Sequence, residues 1–405
     1  MKISNEIKII GIYCLLFIFI IIGFQKFYYT DLLNSTNFLN WDAEHYFWIK
    51  NNGYQGFRIA FFPFFPFLWK GLSFGIFGIV IFNASLYIAS FYFLIRKLKA
   101  KAFEVILYLS IPSSIFFYLP YTESVFFASS TILLFGLINK KTILVFLGLL
   151  LCSISRPAFM VFIPALIIAE LLSEKLNLKL FFRLGFYFLS AILGILIVGI
   201  IQHHYTGNWF EFFSVQSGWG NKLQIPKFPL SSWAGGLIVR LDGAALLFGT
   251  AAGIILILKI FKAKFLKDIL MPKEVIFSFC YLAGMALSVF IFRGGSLFSL
   301  NRFLFATPFI IVAANYFFKQ NFSINKKNLG LIFFLFLLFW LSFGSYGHLR
   351  TFLLFLALSI YLFLFVGTKT NNQLLNKISL ILLILVNFIF QILFFIRFMN
   401  GGWVG

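Results

Sequence analysis

Asp42, His45 and Tyr46 stand at i, i+3 and i+4, the spacing that places three side chains on one face of a helix. They lie in Asn40–Trp41–Asp42–Ala43–Glu44–His45–Tyr46, ahead of Asn52–Gly53–Tyr54 and Ala60–Phe61–Phe62–Pro63–Phe64–Phe65–Pro66. A carboxylate aimed into a cavity can act as general base on a hydroxyl, with a near-neutral imidazole or a phenol orienting it. Asp42 is the first candidate for that role. Glu44 is the second candidate catalytic acid, although a turn of about 100° per residue points it to another side of the helix. The competing reading is an interfacial loop of solvated charges with an aromatic belt of Trp41, Tyr46, Phe47 and Trp48.

Three other ionisable groups sit in short motifs. Glu123, in Pro120–Tyr121–Thr122–Glu123–Ser124, stands at a helix start, where it either caps the helix or lines the mouth of a cavity. Arg156 lies in Ser155–Arg156–Pro157, and Arg302 in Asn301–Arg302–Phe303–Leu304–Phe305–Ala306–Thr307–Pro308. Arginine suits two-pronged contact with phosphate oxygens; the alternative is snorkelling to lipid headgroups. His203, His204 and Glu211 do not make a metal site, because adjacent histidines diverge on any regular element. A divalent ion shared by Asp42 and Glu44 is opposed by their helical divergence, so neither a metal nor another cofactor is expected. Cys14, Cys152 and Cys280 all fall inside apolar runs and suggest neither a disulfide framework nor a thiolate site.

The elements that must position these groups are membrane helices. Of 405 residues, 61% are hydrophobic and only 11% charged, which excludes a soluble globular protein. The net charge of +21 is read as the excess of Lys and Arg that marks cytoplasmic loops, not as a nucleic-acid surface. Apolar runs near 7–25, 73–95, 103–119, 124–138, 142–155, 157–172 and 180–203 are expected to cross, the first as a retained helix. Further crossings are expected near 244–260, 275–292, 302–318, 329–345, 350–366 and 378–396. The class is therefore all-α and polytopic, with about 13 transmembrane helices. With the N-terminus inside and the C-terminus outside, most Lys and Arg fall in inner loops, among them Arg96, Lys97, Lys140, Lys141, Lys259, Lys319 and Lys369.

Only 28 residues separate Lys141 from Glu170, about 42 Å of helix, long for one crossing and short for two. Two short helices broken at Ser155–Arg156–Pro157 keep the charge rule, and the same argument breaks 102–139 at Leu119–Pro120–Tyr121. Such breaks are tolerated at membrane depth only against protein or a watery cavity. Two outer segments are long, 26–72 and 204–243, the latter carrying Trp209, Trp219 and Trp233. The organisation expected is a module over 1–205 that includes the first outer loop 26–72, and a more variable one over 206–405.

These motifs together resemble the PIG-V-like mannosyltransferases, that is, GPI mannosyltransferase II and its prokaryotic relatives. The resemblance rests on the first-loop block from Trp41 through Pro66, on Tyr121–Thr122–Glu123–Ser124–Val125–Phe126–Phe127, on Ser155–Arg156–Pro157, and on the Asn301 to Pro308 motif. It covers about residues 1–310; 320–405 match nothing in particular. Pro157–Ala158 departs from the small polar pair that often follows the arginine in eukaryotic members. The resemblance implies a GT-C fold and a polyprenyl-phosphate-linked sugar donor, with mannose the expected hexose. It further implies Asp42 as base on the acceptor hydroxyl, Arg156 and Arg302 on the donor phosphate, and Glu123 lining the pocket. His45, Tyr46 and Tyr54 are expected beside the substrate. The acceptor would be a glycan, glycolipid or protein, reached on the extracytoplasmic face of the plasma membrane if the source is prokaryotic. A transporter or flippase of lipid-linked sugars is the alternative. It predicts paired half-repeats with polar groups near the midplane of both, and no repeat is visible. An acyl- or phosphotransferase would need a nucleophile or metal cluster that the scattered histidines do not supply.

Overall fold

The computed structural model describes residues 4–28, 31–218, 220–232, 236–266, 271–321, 323–341, 343 and 349–405. Trp219 and Trp233 lie outside them. Among the described residues every regular element is a helix, and none is a strand. The first half contains α1 (Asn5–Phe27), α2 (Asp42–Asn52), α3 (Phe64–Leu72), α4 (Ile76–Leu98), α5 (Ala102–Leu109), α6 (Glu123–Ile138), α7 (Thr142–Ser155), α8 (Phe162–Ser173) and α9 (Leu178–Thr206). The second contains α10 (Glu211–Gly218), α11 (Gly236–Leu266), α12 (Lys273–Phe292), α13 (Leu300–Phe305), α14 (Pro308–Lys319), α15 (Lys326–Trp340), α16 (Leu349–Gly367) and α17 (Gln373–Met399).

Local chemistry sets many of these boundaries. Asn177, Asn325 and Asn372 accept the backbone N–H of Leu180, Asn328 and Leu374 at 2.8, 2.8 and 2.9 Å, satisfying donors that a helix start leaves unpaired. Gly207, with φ 75°, closes α9 in the left-handed conformation that a side chain would resist.

Among the described residues, six helices are long and apolar enough to cross a membrane: α1, α4, α9, α12, α17 and Leu241–Lys262 of α11. A bent pair, Pro112–Tyr118 with α6, raises the number to seven. This is compatible with a polytopic membrane protein. Several expected runs differ in detail. Run 103–119 is not one helix: α5 stops at Leu109, and the 3-10 segment Pro112–Tyr118 meets α6 at 103°. Run 302–318 divides into α13 and α14 around Ala306–Thr307. The segment 204–243 is shorter than expected, because α9 continues to Thr206 and α11 begins at Gly236. Within 60–66, Pro66 sits in the first turn of α3, where its missing N–H costs no intrahelical bond.

The expected breaks are present, and amide side chains satisfy the backbone groups they release. Asn83 on α4 donates to Leu119 O at 2.6 Å and to Tyr121 O at 3.0 Å, spanning Leu119–Pro120–Tyr121. Gln391 on α17 donates to Leu109 O at 2.9 Å where α5 ends. In apolar surroundings each carbonyl left bare would cost several kcal/mol, so these amides are what makes the broken helices affordable. Between α6 and α7, a Cβ at Gly136 would lie 2.5 Å from Val145 N, and one at Gly148 2.5 Å from Leu133 N. The two backbones are therefore in near contact, as small residues allow between apolar helices. One hydrophobic core runs through both expected modules, from Ile10 to Val404.

Candidate functional site

The breaks bring four distant charges together. The turn pinned by Asn83 puts Glu123 at the first position of α6, and the break after α7 puts Arg156 in extended backbone beside it. Arg156 donates to Glu123 Oε1 at 2.9 Å. Arg302, on the single short turn of α13, donates through Nε to the same oxygen and through NH1 to Asp42 Oδ2 at 2.6 Å. Glu123 is fully buried, Arg302 is 4% exposed and Arg156 6%. Both guanidinium groups also lie over aromatic rings: Arg302 at 4.7 Å from Tyr121 and 5.2 Å from Phe116, Arg156 at 5.1 Å from Phe303. Neither arginine snorkels. Two cations and two carboxylates balance in charge, which is how ionic groups are retained inside apolar surroundings.

Asp42 is the accessible end of this chain, its side chain 22% exposed. Tyr46 shares its helix and packs its ring on Phe61, Phe65 and Tyr121, the last at 6.4 Å. His45 lies between Phe57 and Phe61, with Nδ1 buried and lacking a hydrogen-bond partner. Burial pushes its imidazole below the usual 6.5, against the opposing pull of Asp42. The folded chain then binds fewer protons at His45 than the unfolded chain, so this group's stability is present above 6.5 and lost on acidification. His45→Gln is expected to flatten the fall in melting temperature between neutral and mildly acidic buffer. Superimposable profiles for the two proteins would show that the imidazole is not held neutral.

The other candidates lie apart. Glu44 is exposed and does not join the ion pairs, as its place on the helix predicted. Tyr54 is buried with Ile49 and Ile59, apart from the ion pairs, and its hydroxyl donates to Phe61 O at 2.8 Å, bracing the loop. His203 stacks on Trp209 at 4.6 Å, and Glu211 accepts from Ser214. Among the described residues no group of three or more His, Cys, Asp or Glu is arranged to hold a metal ion.

The sequence reading passed over Asp242. This fully buried carboxylate accepts the Asn301 N–H at 2.9 Å, Asn301 Nδ2 at 2.7 Å and Ser232 Oγ at 3.0 Å. Asn301 Oδ1 in turn takes Ser113 Oγ at 2.9 Å. The start of α13, and with it the neighbouring Arg302, is fixed to α11 and to Pro112–Tyr118. The sequence signal for it is an acid at the edge of an apolar stretch, two residues ahead of the crossing expected near 244–260.

Compared with protein-family models, curated proteins and solved structures, the chain matches none of them.

Proposed function

We propose that this chain is a membrane glycosyltransferase of PIG-V-like, GT-C type. It moves a hexose, mannose in the first instance, from a polyprenyl-phosphate donor to a hydroxyl of a glycan, glycolipid or protein. The observation that carries the reading is the convergence of Asp42, Glu123, Arg156 and Arg302 from four separate parts of the chain. Sugar transfer from a lipid phosphate asks for cations on the departing oxygen and a base on the attacking hydroxyl, close together. The proposed arrangement has about 13 crossings, an inner N-terminus and the site on the extracytoplasmic face of a plasma membrane.

In the resting protein Arg302 is engaged by carboxylates. A donor phosphate reaching Arg302 competes with Asp42 for its fork, and the released Asp42 carboxylate takes the acceptor proton. Glu123 Oε2, buried without a hydrogen-bond partner, is an acceptor for a hydroxyl of the donor sugar. Attack opposite the leaving phosphate inverts the anomeric centre. The test is incorporation of sugar from synthetic polyprenyl-phosphate donors by purified protein, with the product's anomeric configuration read by NMR. Absence of transfer from any such donor overturns the reading, and retained configuration overturns the single displacement.

Arg302→Lys keeps the charge but loses the planar fork. It is expected to raise the donor KM more than the acceptor KM. An unchanged donor dependence would make Arg302 a structural cation only.

A further inference from the structure

Trp41, directly before Asp42, has φ 60° and ψ −126°, a left-handed conformation that a bulky side chain resists. Backbone strain of this kind persists only where the surroundings over-determine it, and it gathers at functional sites. Here the surroundings come from the far end of the sequence. Asn40 Nδ2 donates to Phe398 O at 2.8 Å, and Trp41 Nε1 donates to Gly401 O at 3.1 Å. The Trp41 and Trp403 rings meet edge to face at 5.2 Å. Tyr121, the ring over which Arg302 lies, packs on Phe398 at 5.8 Å. Gly401, with φ 78°, turns the chain back, and the Gly402 N–H bonds Arg397 O at 2.8 Å. Trp403 and Val404 are thereby buried, at 8% and 1% exposure. A side chain at Gly405 would collide with Phe116 and come within 3.3 Å of Arg302 Cβ.

We infer that the strap 400–405 is the positioning element for Asp42. It clamps Trp41 in its strained conformation and so aims the first carboxylate of α2 at Arg302. Trp403 is a positioning residue, acting through Trp41. The part of the chain with no motif of its own thus completes the site. With the strap displaced, Trp41 relaxes to an ordinary φ, and Asp42, one peptide further on, swings off line. The inference rests on the reading of Asp42 as the base, and its test separates the two.

Carbodiimide and amine labelling of carboxylates in detergent-solubilised protein, read by peptide mass spectrometry, reports on Asp42 without any assumption about its reaction. Exposed Glu44 is the internal reference. Asp42 is expected to label slowly in the wild type and severalfold faster in Trp403→Ala. Trp403→Phe, which keeps a ring for the edge-to-face contact, is expected to restore protection. Gly401→Ala, strained at φ 78°, shifts the strap without removing a ring and carries the test if Trp403→Ala fails to fold. In the transfer assay kcat is expected to fall by up to about a hundredfold with donor KM nearly unchanged, because a small misplacement of a base is costly. Protection of Asp42 equal to wild type in the folded variants overturns the inference, as does labelling that rises equally at Glu44. A wild type that transfers no sugar but shows the labelling pattern sinks the proposed activity and leaves the strap standing.

Discussion

Arg302→Ala is expected to cost about 3–5 kcal/mol of folding stability. The guanidinium is almost wholly buried and bridges two carboxylates, one of them with no exposure at all. Its removal leaves Glu123 with Arg156 alone, abandons Asp42, and empties the space against Tyr121 and Phe116. The cost is mainly that of stranding buried negative charge, not of losing an attractive contact. The double variant Arg302→Met with Asp42→Asn is therefore expected to recover much of the loss, because Glu123 keeps its pair with Arg156 and no unpaired carboxylate remains next to the new apolar side chain. Thermal unfolding in detergent measures both. An Arg302→Ala protein that melts with the wild type would mean that water reaches these groups freely.

Asp42→Asn is expected to fold normally and to transfer sugar about 10²–10⁴-fold more slowly, the usual contribution of a positioned general base. The fold survives for a local reason. Asp42 is partly exposed, and an asparagine oxygen still accepts the 2.6 Å bond from Arg302 NH1. What the amide lacks is basicity. Glu44→Gln, about 200° round the helix on an exposed face, is expected to remain near wild-type rate, which separates a specific base from general loss of negative charge. Turnover from polyprenyl-phosphate donors, with melting temperature as the folding control, decides the matter. Normal turnover by folded Asp42→Asn removes Asp42 from the mechanism.

Some of this could be read directly from the amino-acid order. Composition and run length required an apolar helical chain. The prolines and charges at Leu119–Pro120–Tyr121 and Ser155–Arg156–Pro157 required broken helices, and the i, i+3, i+4 spacing gave α2 its Asp42 face. These are local properties, carried by residues within a turn or two of one another. Proximity across the chain is not local. The meeting of Asp42 with Arg302, 260 positions apart, the clamp of Asn83 on Leu119 and Tyr121, the anchoring of α13 by Asp242, and the return of Trp403 to Trp41 depend on which breaks face each other once the helices pack. The sequence by itself determined that buried charges and released carbonyls would need partners. Only the tertiary structure decided which ones, because in an apolar interior a polar group must be satisfied by whatever group the packing of the helices brings within reach.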